Sequence, residues 1–241
     1  MTAIAFFIAI ILGLVHVFGT HLTFLEIDPR SGWLSAGAGV TVAFIFLYLL
    51  PELSHFRDLL SDHPHFGAID ELTYLLALTG VALFYAMEHL AFHTRRATDE
   101  TDDSPFGHDY VFWLHMGWYA LYNVIIGALL LYGDQTTPRG LATYGLTMAV
   151  HFSVVDASMR HHHRHVYRAT GRWILAVAVV VGWALAALVP LSMALIAIST
   201  AFLAGGMLIT AVKDELPSRQ KTRLLPFLSG TTAAAVLLTL F

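Results

Sequence analysis

Long apolar stretches alternate along the chain with short segments that hold most of its charged residues. A helix needs about 20 consecutive, mostly apolar residues to cross the hydrocarbon core of a bilayer. Eight stretches approach or exceed this length, and Gly32, Gly133 and Pro190 lie at the connections between them. The predicted spans are residues 2–18, 33–53, 71–92, 109–132, 140–159, 172–189, 191–213 and 223–240. We therefore predict an all-α, polytopic membrane helix bundle that forms a single domain over residues 1–241.

The composition agrees with a membrane protein and excludes several other classes. Apolar residues make up 57% of the chain and charged residues 12%, which is about half the charged fraction of a typical soluble domain. The net charge of −4 argues against nucleic acid as a partner, and the absence of cysteine excludes disulfide bonds and thiolate metal sites. The first apolar segment lacks a preceding basic region, so we expect a retained helix and not a cleaved signal peptide. The expected partner is the lipid bilayer.

Lysine and arginine residues are divided unequally between the connections. Eleven of the 13 lie in the connections after spans one, three, five and seven, and only Arg57 and Arg139 lie in the others. Cytoplasmic loops of membrane proteins carry an excess of these residues. We therefore predict that the odd-numbered connections face the cytoplasm, and that both termini lie on the non-cytoplasmic side of the cell (inner) membrane.

The second and seventh spans share a pattern of glycine and proline. Gly39 is followed after eleven residues by Pro51, and Gly205 is followed after eleven residues by Pro217. The two spans cross the membrane in opposite directions, as the halves of an inverted repeat do. The pattern favours a 3+2+3 arrangement in which spans 1–3 and 6–8 are related, with chance agreement of two residues as the alternative.

Several polar residues fall inside the predicted spans, where a charged side chain costs about 2.5–3.5 kcal/mol on insertion scales. Such residues usually face a cavity or a partner and are therefore candidates for function. They are His16, Glu88, His115, Tyr122, Asn123, His151 and Asp156. On span four, His115, Tyr122 and Asn123 lie on one helical face, which indicates either a polar path or hydrogen bonding between helices.

Spans four and five both carry polar groups near mid-membrane. Asn123 and His151 each lie about halfway along their span, and the short connection between these spans makes them expected neighbours. Asp156 lies about one and a half turns nearer the cytoplasm than His151, and His115 reaches a similar depth. The pattern predicts an ion path that begins at Asn123 and His151 and continues past Asp156 and His115. Since the path holds one formal negative charge, we expect its affinity for a cation to be weak.

One segment of span four resembles a metal-site motif of the ZIP family of divalent-metal transporters. The run YNVIIG at 122–127 is similar to the family's His-Asn-x-x-(Asp/Glu)-Gly. Asn123 and Gly127 match this motif. Tyr122 takes the place of the histidine, and Ile126 takes the place of the acid.

Span five resembles the second motif of the same family, His-Glu-x-Pro-(His/Glu). In the run HFSVVD at 151–156, His151 matches and Asp156 supplies an acid near the expected turn, whereas Phe152 and Val154 replace the acid and the proline. The runs LLPE at 49–52 and DELP at 214–217 also look ZIP-like.

The resemblance covers most of the chain. It implies eight helices, both termini outside and transport of a divalent transition-metal cation, such as zinc, iron, nickel or manganese. The metal is then cargo, so no tightly bound cofactor is expected, and a homodimer is left open. The ligands implied for the cargo are Asn123, His151 and Asp156, with His115, Glu88 and Tyr122 beside them.

The histidine run at 161–165 follows span five, whereas the His-rich loop of the family follows span three. The run is either a weak, flexible metal trap or a solvated segment at the membrane interface. Two other functions also stay open for the whole chain. One is an intramembrane zinc hydrolase with His89, His115 and His151 as ligands and a carboxylate as base. The other is a membrane protein that keeps the bundle and does not transport.

Overall fold

The computed structural model describes residues 2–19, 32–61, 71–100, 107–132, 137–215 and 223–240, with side chains except at 59, 61, 91–100, 107–111, 161–165, 212–215 and 240. The α-helices are α1 (Thr2–Gly19), α2 (Gly32–Phe44), α3 (Leu50–Ser61), α4 (Leu72–Glu100), α5 (Gly107–Leu129), α6 (Pro138–Val166), α7 (Arg172–Leu188), α8 (Met193–Glu215) and α9 (Leu224–Leu240). Two π-helical turns, Ile45–Leu49 and Tyr167–Gly171, connect α2 to α3 and α6 to α7. Over these residues the chain has no strand, and the predicted all-α bundle is confirmed. Each predicted span contains a helix, with α2 and α3 together forming the second.

Five helical segments are long and apolar enough to cross a membrane. They are Thr2–Gly19, Gly32–Asp58, Leu72–Leu90, Tyr167–Leu188 and Met193–Ala211, and a shorter apolar helix covers Leu224–Thr239. The helices α5 and α6 fall outside this set because polar residues interrupt their apolar sequence. These are the two helices for which the sequence predicts a site.

The surface of α1 shows why the bundle suits a membrane. Its large apolar side chains Phe7, Ile11 and Phe18 are exposed, whereas its one ionisable side chain, His16, is fully buried. In a soluble protein the ionisable side chain would lie outside and the large apolar ones inside. In a bilayer, exposed apolar side chains contact lipid, and polar groups must find partners within the bundle.

The helices α1 and α6 run in the same direction along the bundle. Ile8 contacts Gly145 near the start of α6, and His16, two turns later in α1, contacts Asp156 further along α6. The contacts therefore advance together along both helices.

The helix α7 runs in the opposite direction to α1. Gly13 lies against the carbonyl of Ala176, whereas the carbonyl of Val17, one turn later in α1, accepts a 3.3 Å hydrogen bond from Nη1 of Arg172. It follows that α6 and α7 are antiparallel and that the chain reverses between Asp156 and Arg172. The second π-helical turn lies within this reversal, and the reversal agrees with the prediction of separate fifth and sixth spans.

Contacts between helices divide them into two groups. The central bundle consists of α1, α5, α6 and α7, in which α7 contacts α1 and α5, and α1 contacts α6. The paired helices are α2, α3, α4, α8 and α9, in which α2 packs with α9 and α4 packs with α8. Contacts of α2 with α6 and of α4 with α5 join the two groups.

Glycines bring the paired helices close together at equivalent positions. A Cβ added at Gly39, Gly80, Gly205 or Gly230 would come within 1.9–2.5 Å of a main-chain carbonyl oxygen of the partner helix. Gly39 and Gly230 lie between α2 and α9, and Gly205 and Gly80 lie between α8 and α4. An inverted repeat that exchanges spans 1–3 with spans 6–8 converts the first pair of helices into the second. The packing is therefore of the kind that this repeat predicts, with small residues at close helix contacts.

Candidate intramembrane polar site

His16 joins three helices of the central bundle at one buried point. Its Nδ1 lies 2.7 Å from Oδ1 of Asp156 on α6, and its Nε2 lies 2.8 Å from Oδ1 of Asn123 on α5. The buried stripe of α1 is formed by Ala5, Ala9 and Leu12 in addition to His16. The imidazole points inwards because it continues this stripe at helical spacing.

Hydrogen bonds fix the direction in which the groups of this site face. Nδ2 of Asn123 donates a 2.7 Å bond to the carbonyl of Tyr119, so its Oδ1 accepts from Nε2 of His16. Oδ1 of Asp156 also accepts a bond from the hydroxyl of Tyr167, which follows the chain reversal. Both nitrogens of His16 therefore face oxygen atoms that accept hydrogen bonds, with one hydrogen held between Nδ1 and Asp156.

The second oxygen of Asp156 faces the end of α1. Within the described part of the chain, Oδ2 has no hydrogen-bond partner, although Asp156 is fully buried. A Cβ added at Gly19 would lie 2.9 Å from Oδ2 and 3.5 Å from Nη1 of Arg160, which is itself buried. A buried carboxylate oxygen without a partner is costly and calls for an explanation such as an ion or a ligand. The space beside Oδ2 exists because residue 19 has no side chain.

His151 lies beside this site. It is buried on α6, and it is close enough to His16 for the two rings to interact electrostatically. The ring of Phe152 packs against His16 with their centroids 4.3 Å apart. The described donors around His16 are thus a carboxylate, an amide oxygen and a second imidazole, a set that suits a transition-metal cation.

The other predicted ligands lie in different contacts. The hydroxyl of Tyr122 donates to the carbonyls of Leu203, at 2.5 Å, and Phe202, at 3.2 Å, both on α8. Tyr122 therefore holds the central bundle against the paired helices. Nε2 of His115 lies 3.6 Å from Oε1 of Glu88, so these two residues form a separate pair between α5 and α4.

Metal ligation by histidine and acid alone finds no support here. Across the described ranges, no three or more His, Cys, Asp or Glu residues lie close enough together to hold a metal ion. The three histidines named for a hydrolase are not assembled, since His115 pairs with Glu88, His151 adjoins His16, and His89 stacks on Tyr85. The histidine run at 161–165 lies outside the described side chains.

Sequence reasoning did not place His16, Tyr167 or Arg160 among the ligands. His16 carried a usable signal, because it is the one ionisable residue in an otherwise apolar helix. Tyr167 and Arg160 carried none, because both fall in or beside a predicted cytoplasmic connection. The chain reversal brings Tyr167 back onto Asp156.

Comparison of the chain with protein-family models, with curated proteins and with solved structures found no match.

Proposed function

We propose that this chain is a multi-pass transporter that carries a divalent transition-metal cation through the central bundle. The cargo is held at His16, Asn123, His151 and Asp156. The observation that carries the proposal is the meeting of imidazole, amide and carboxylate groups from three helices at one buried point. Ionisable residues inside a membrane bundle usually mark the path of an ion. The likeness of the Asn123 and His151 segments to the ZIP motifs supports the same function.

The spacing of the donors suits exchange of cargo. Nδ1 of His16 and Oδ1 of Asp156 are 2.7 Å apart. A tetrahedral zinc ion with ligands at about 2.0–2.1 Å keeps neighbouring ligands roughly 3.3 Å apart. The two atoms would therefore move apart by less than ~1 Å to admit an ion, which rotation of one side chain can supply.

The charges around the site favour weak binding. Asp156 is the one carboxylate that contacts His16, and buried Arg160 lies near the same space beside Gly19. The guanidinium charge opposes a cation at this carboxylate, so cargo should exchange readily. A resident catalytic zinc would need a tighter set of three or four ligands.

The orientation in the membrane belongs to the same proposal. The excess of lysine and arginine in the odd-numbered connections puts those connections in the cytoplasm of the host cell and both termini outside. Single cysteines replacing Arg95 or Lys221 should resist an impermeant thiol reagent in intact cells, and a cysteine replacing Thr136 should react. The reverse labelling pattern would invert the orientation.

Uptake into proteoliposomes tests the transport function. Purified protein should give saturable uptake of at least one of zinc, iron, nickel and manganese above protein-free vesicles, and the metal should exchange freely. Tight, stoichiometric zinc with no uptake would favour the hydrolase. A folded protein that neither binds nor moves any of these metals would leave the bundle without transport.

A further inference from the structure

A small cavity lies where the paired helices meet the central bundle, away from His16. Its polar lining consists of Tyr48, Glu52, Tyr132, Tyr144 and Thr200. These side chains come from the first π-helical turn, α3, the end of α5, α6 and α8. Its volume is about 10 Å³, which is room for one particle the size of a water molecule. Tyr144 precedes Asp156 by about 18 Å along α6, so the cavity is separate from the candidate cargo site.

The first π-helical turn helps to form this cavity. Pro51 has no N–H, and its ring would clash with the carbonyl four residues earlier in a regular α-helix. The chain widens into the π-helical turn Ile45–Leu49, in which the N–H of Leu50 bonds to the carbonyl of Ile45. Single π-helical turns are frequent at functional sites. Each of the two π-helical turns carries a tyrosine, Tyr48 beside the Glu52 cavity and Tyr167 on Asp156.

The polar lining offers hard oxygen atoms. The hydroxyl of Tyr144 donates its hydrogen to the carbonyl of Ile126 at 3.2 Å, so its oxygen has only acceptor capacity left. The hydroxyl of Tyr132 accepts a 2.9 Å bond from the N–H of Leu191 and keeps a further lone pair. Carboxylate and hydroxyl oxygens favour hard cations over soft transition metals.

We propose that this cavity is a second ion site, which binds one monovalent hard cation of the size of sodium at Glu52. One carboxylate matches one positive charge, and the volume admits a single small ion and no larger ligand. Bound there, the cation ties Glu52 of α3 to tyrosines of α5 and α6, and so fastens the paired helices to the central bundle. The proposal does not depend on metal transport.

Thermal unfolding of the purified protein in detergent tests this site. Sodium chloride should raise the melting temperature above that in choline chloride of equal ionic strength, with an effect that saturates, because a ligand that binds only the folded state stabilises it. Glu52→Gln should remove this sodium-dependent rise. Glu71→Gln, which changes an exposed residue outside the cavity, and Asp156→Asn should retain it.

The outcomes are separable if Glu52→Gln fails to fold. Tyr132→Phe then serves as the second variant, and it should lower the apparent affinity for sodium by removing one oxygen ligand. Equal melting in sodium and choline for the parent protein would overturn the proposal. So would a sodium effect that survives in Glu52→Gln, or a dependence on pH alone.

Discussion

The central bundle and the paired helices solve the same packing problem in a membrane by different means. Among the described residues, every fully buried histidine, acid and arginine belongs to the central bundle: His16, His115, His151, Asp156 and Arg160. The paired helices bury threonines instead, and Thr41 and Thr210 bond to carbonyls of their own helices. Their close contacts are made by glycine.

The difference bears on what the polar residues of the central bundle are for. Hydrogen bonds between side chains can hold membrane helices together. Yet the paired helices pack closely without buried charge, and the central bundle has its own glycine contact, where Gly127 and Gly182 lie between α5 and α7. Packing alone therefore does not call for the costly groups around His16. Their concentration in one group of helices favours an ion site over an adhesive role.

The largest expected effect on stability comes from the paired helices. In Gly205→Ala, the new Cβ would lie 1.9 Å from the carbonyl oxygen of Ala77, and the two backbones would have to separate. We expect the free energy of unfolding to fall by about 3 kcal/mol, at the upper end of overpacking costs. Gly117→Ala is the matched control, because a Cβ there meets nothing within 4 Å. Equal stability of both variants would show that glycine contacts do not hold the paired helices.

A smaller loss of stability is expected in the central bundle. Tyr167→Phe removes the hydroxyl that donates to Asp156, and a hydrogen bond to a charged group contributes about 1.5–3 kcal/mol. Denaturation in detergent should show a loss near 2 kcal/mol. Tyr85→Phe changes an exposed tyrosine and should leave stability unchanged. If the two variants unfold alike, the bond from Tyr167 has no structural weight.

Gly19→Ala should affect uptake more than stability. The methyl group would meet Oδ2 of Asp156 at 2.9 Å, and that oxygen is the movable end of a side chain. We expect less than ~1 kcal/mol of destabilisation, since the carboxylate can turn away. Metal uptake into proteoliposomes should fall clearly, because the space beside Oδ2 is filled. Normal uptake would show that cargo does not use this space.

Replacing His161, His162, His163 and His165 by alanine should have the smallest effect. These residues lie outside the apolar spans, so we expect no change in thermal unfolding. If the run is a metal trap, uptake should fall at low metal concentration and stay normal at saturation. Uptake that matches the parent over the whole range would leave only the interfacial interpretation.

Sequence patterns reached the helices further than they reached the site. Apolar length located each span because the bilayer sets it, and the matched spacing of Gly39 and Gly205 indicated the repeat. Helix ends were less accessible, since α6 continues to Val166, beyond the apolar stretch that ends near residue 159. Hydropathy marks the part of a helix in lipid and not its last turn.

The site itself was predicted in part. Asn123, His151 and Asp156 were chosen from their depth, and depth is readable from position along a span. The structure brings Asn123 and Asp156 to one imidazole, that of His16. Which helix supplies that imidazole depends on how α1 is rotated against α5 and α6, and no local pattern encodes this rotation. Tyr122 shares the face of Asn123 in sequence, yet its hydroxyl binds carbonyls of α8.

Uptake and stability measured together for Asp156→Asn test the cargo site most directly. Asparagine keeps an oxygen that can accept bonds from His16 and Tyr167, and it removes the negative charge. We expect metal uptake to be abolished while the free energy of unfolding changes by no more than about 1 kcal/mol. Asp58→Asn, on an exposed part of α3, is the matched control and should behave like the parent in both measurements. Parent-like uptake in Asp156→Asn, or unfolding that accounts for its loss, would contradict the account and leave the polar groups of the central bundle as structural bonds between helices.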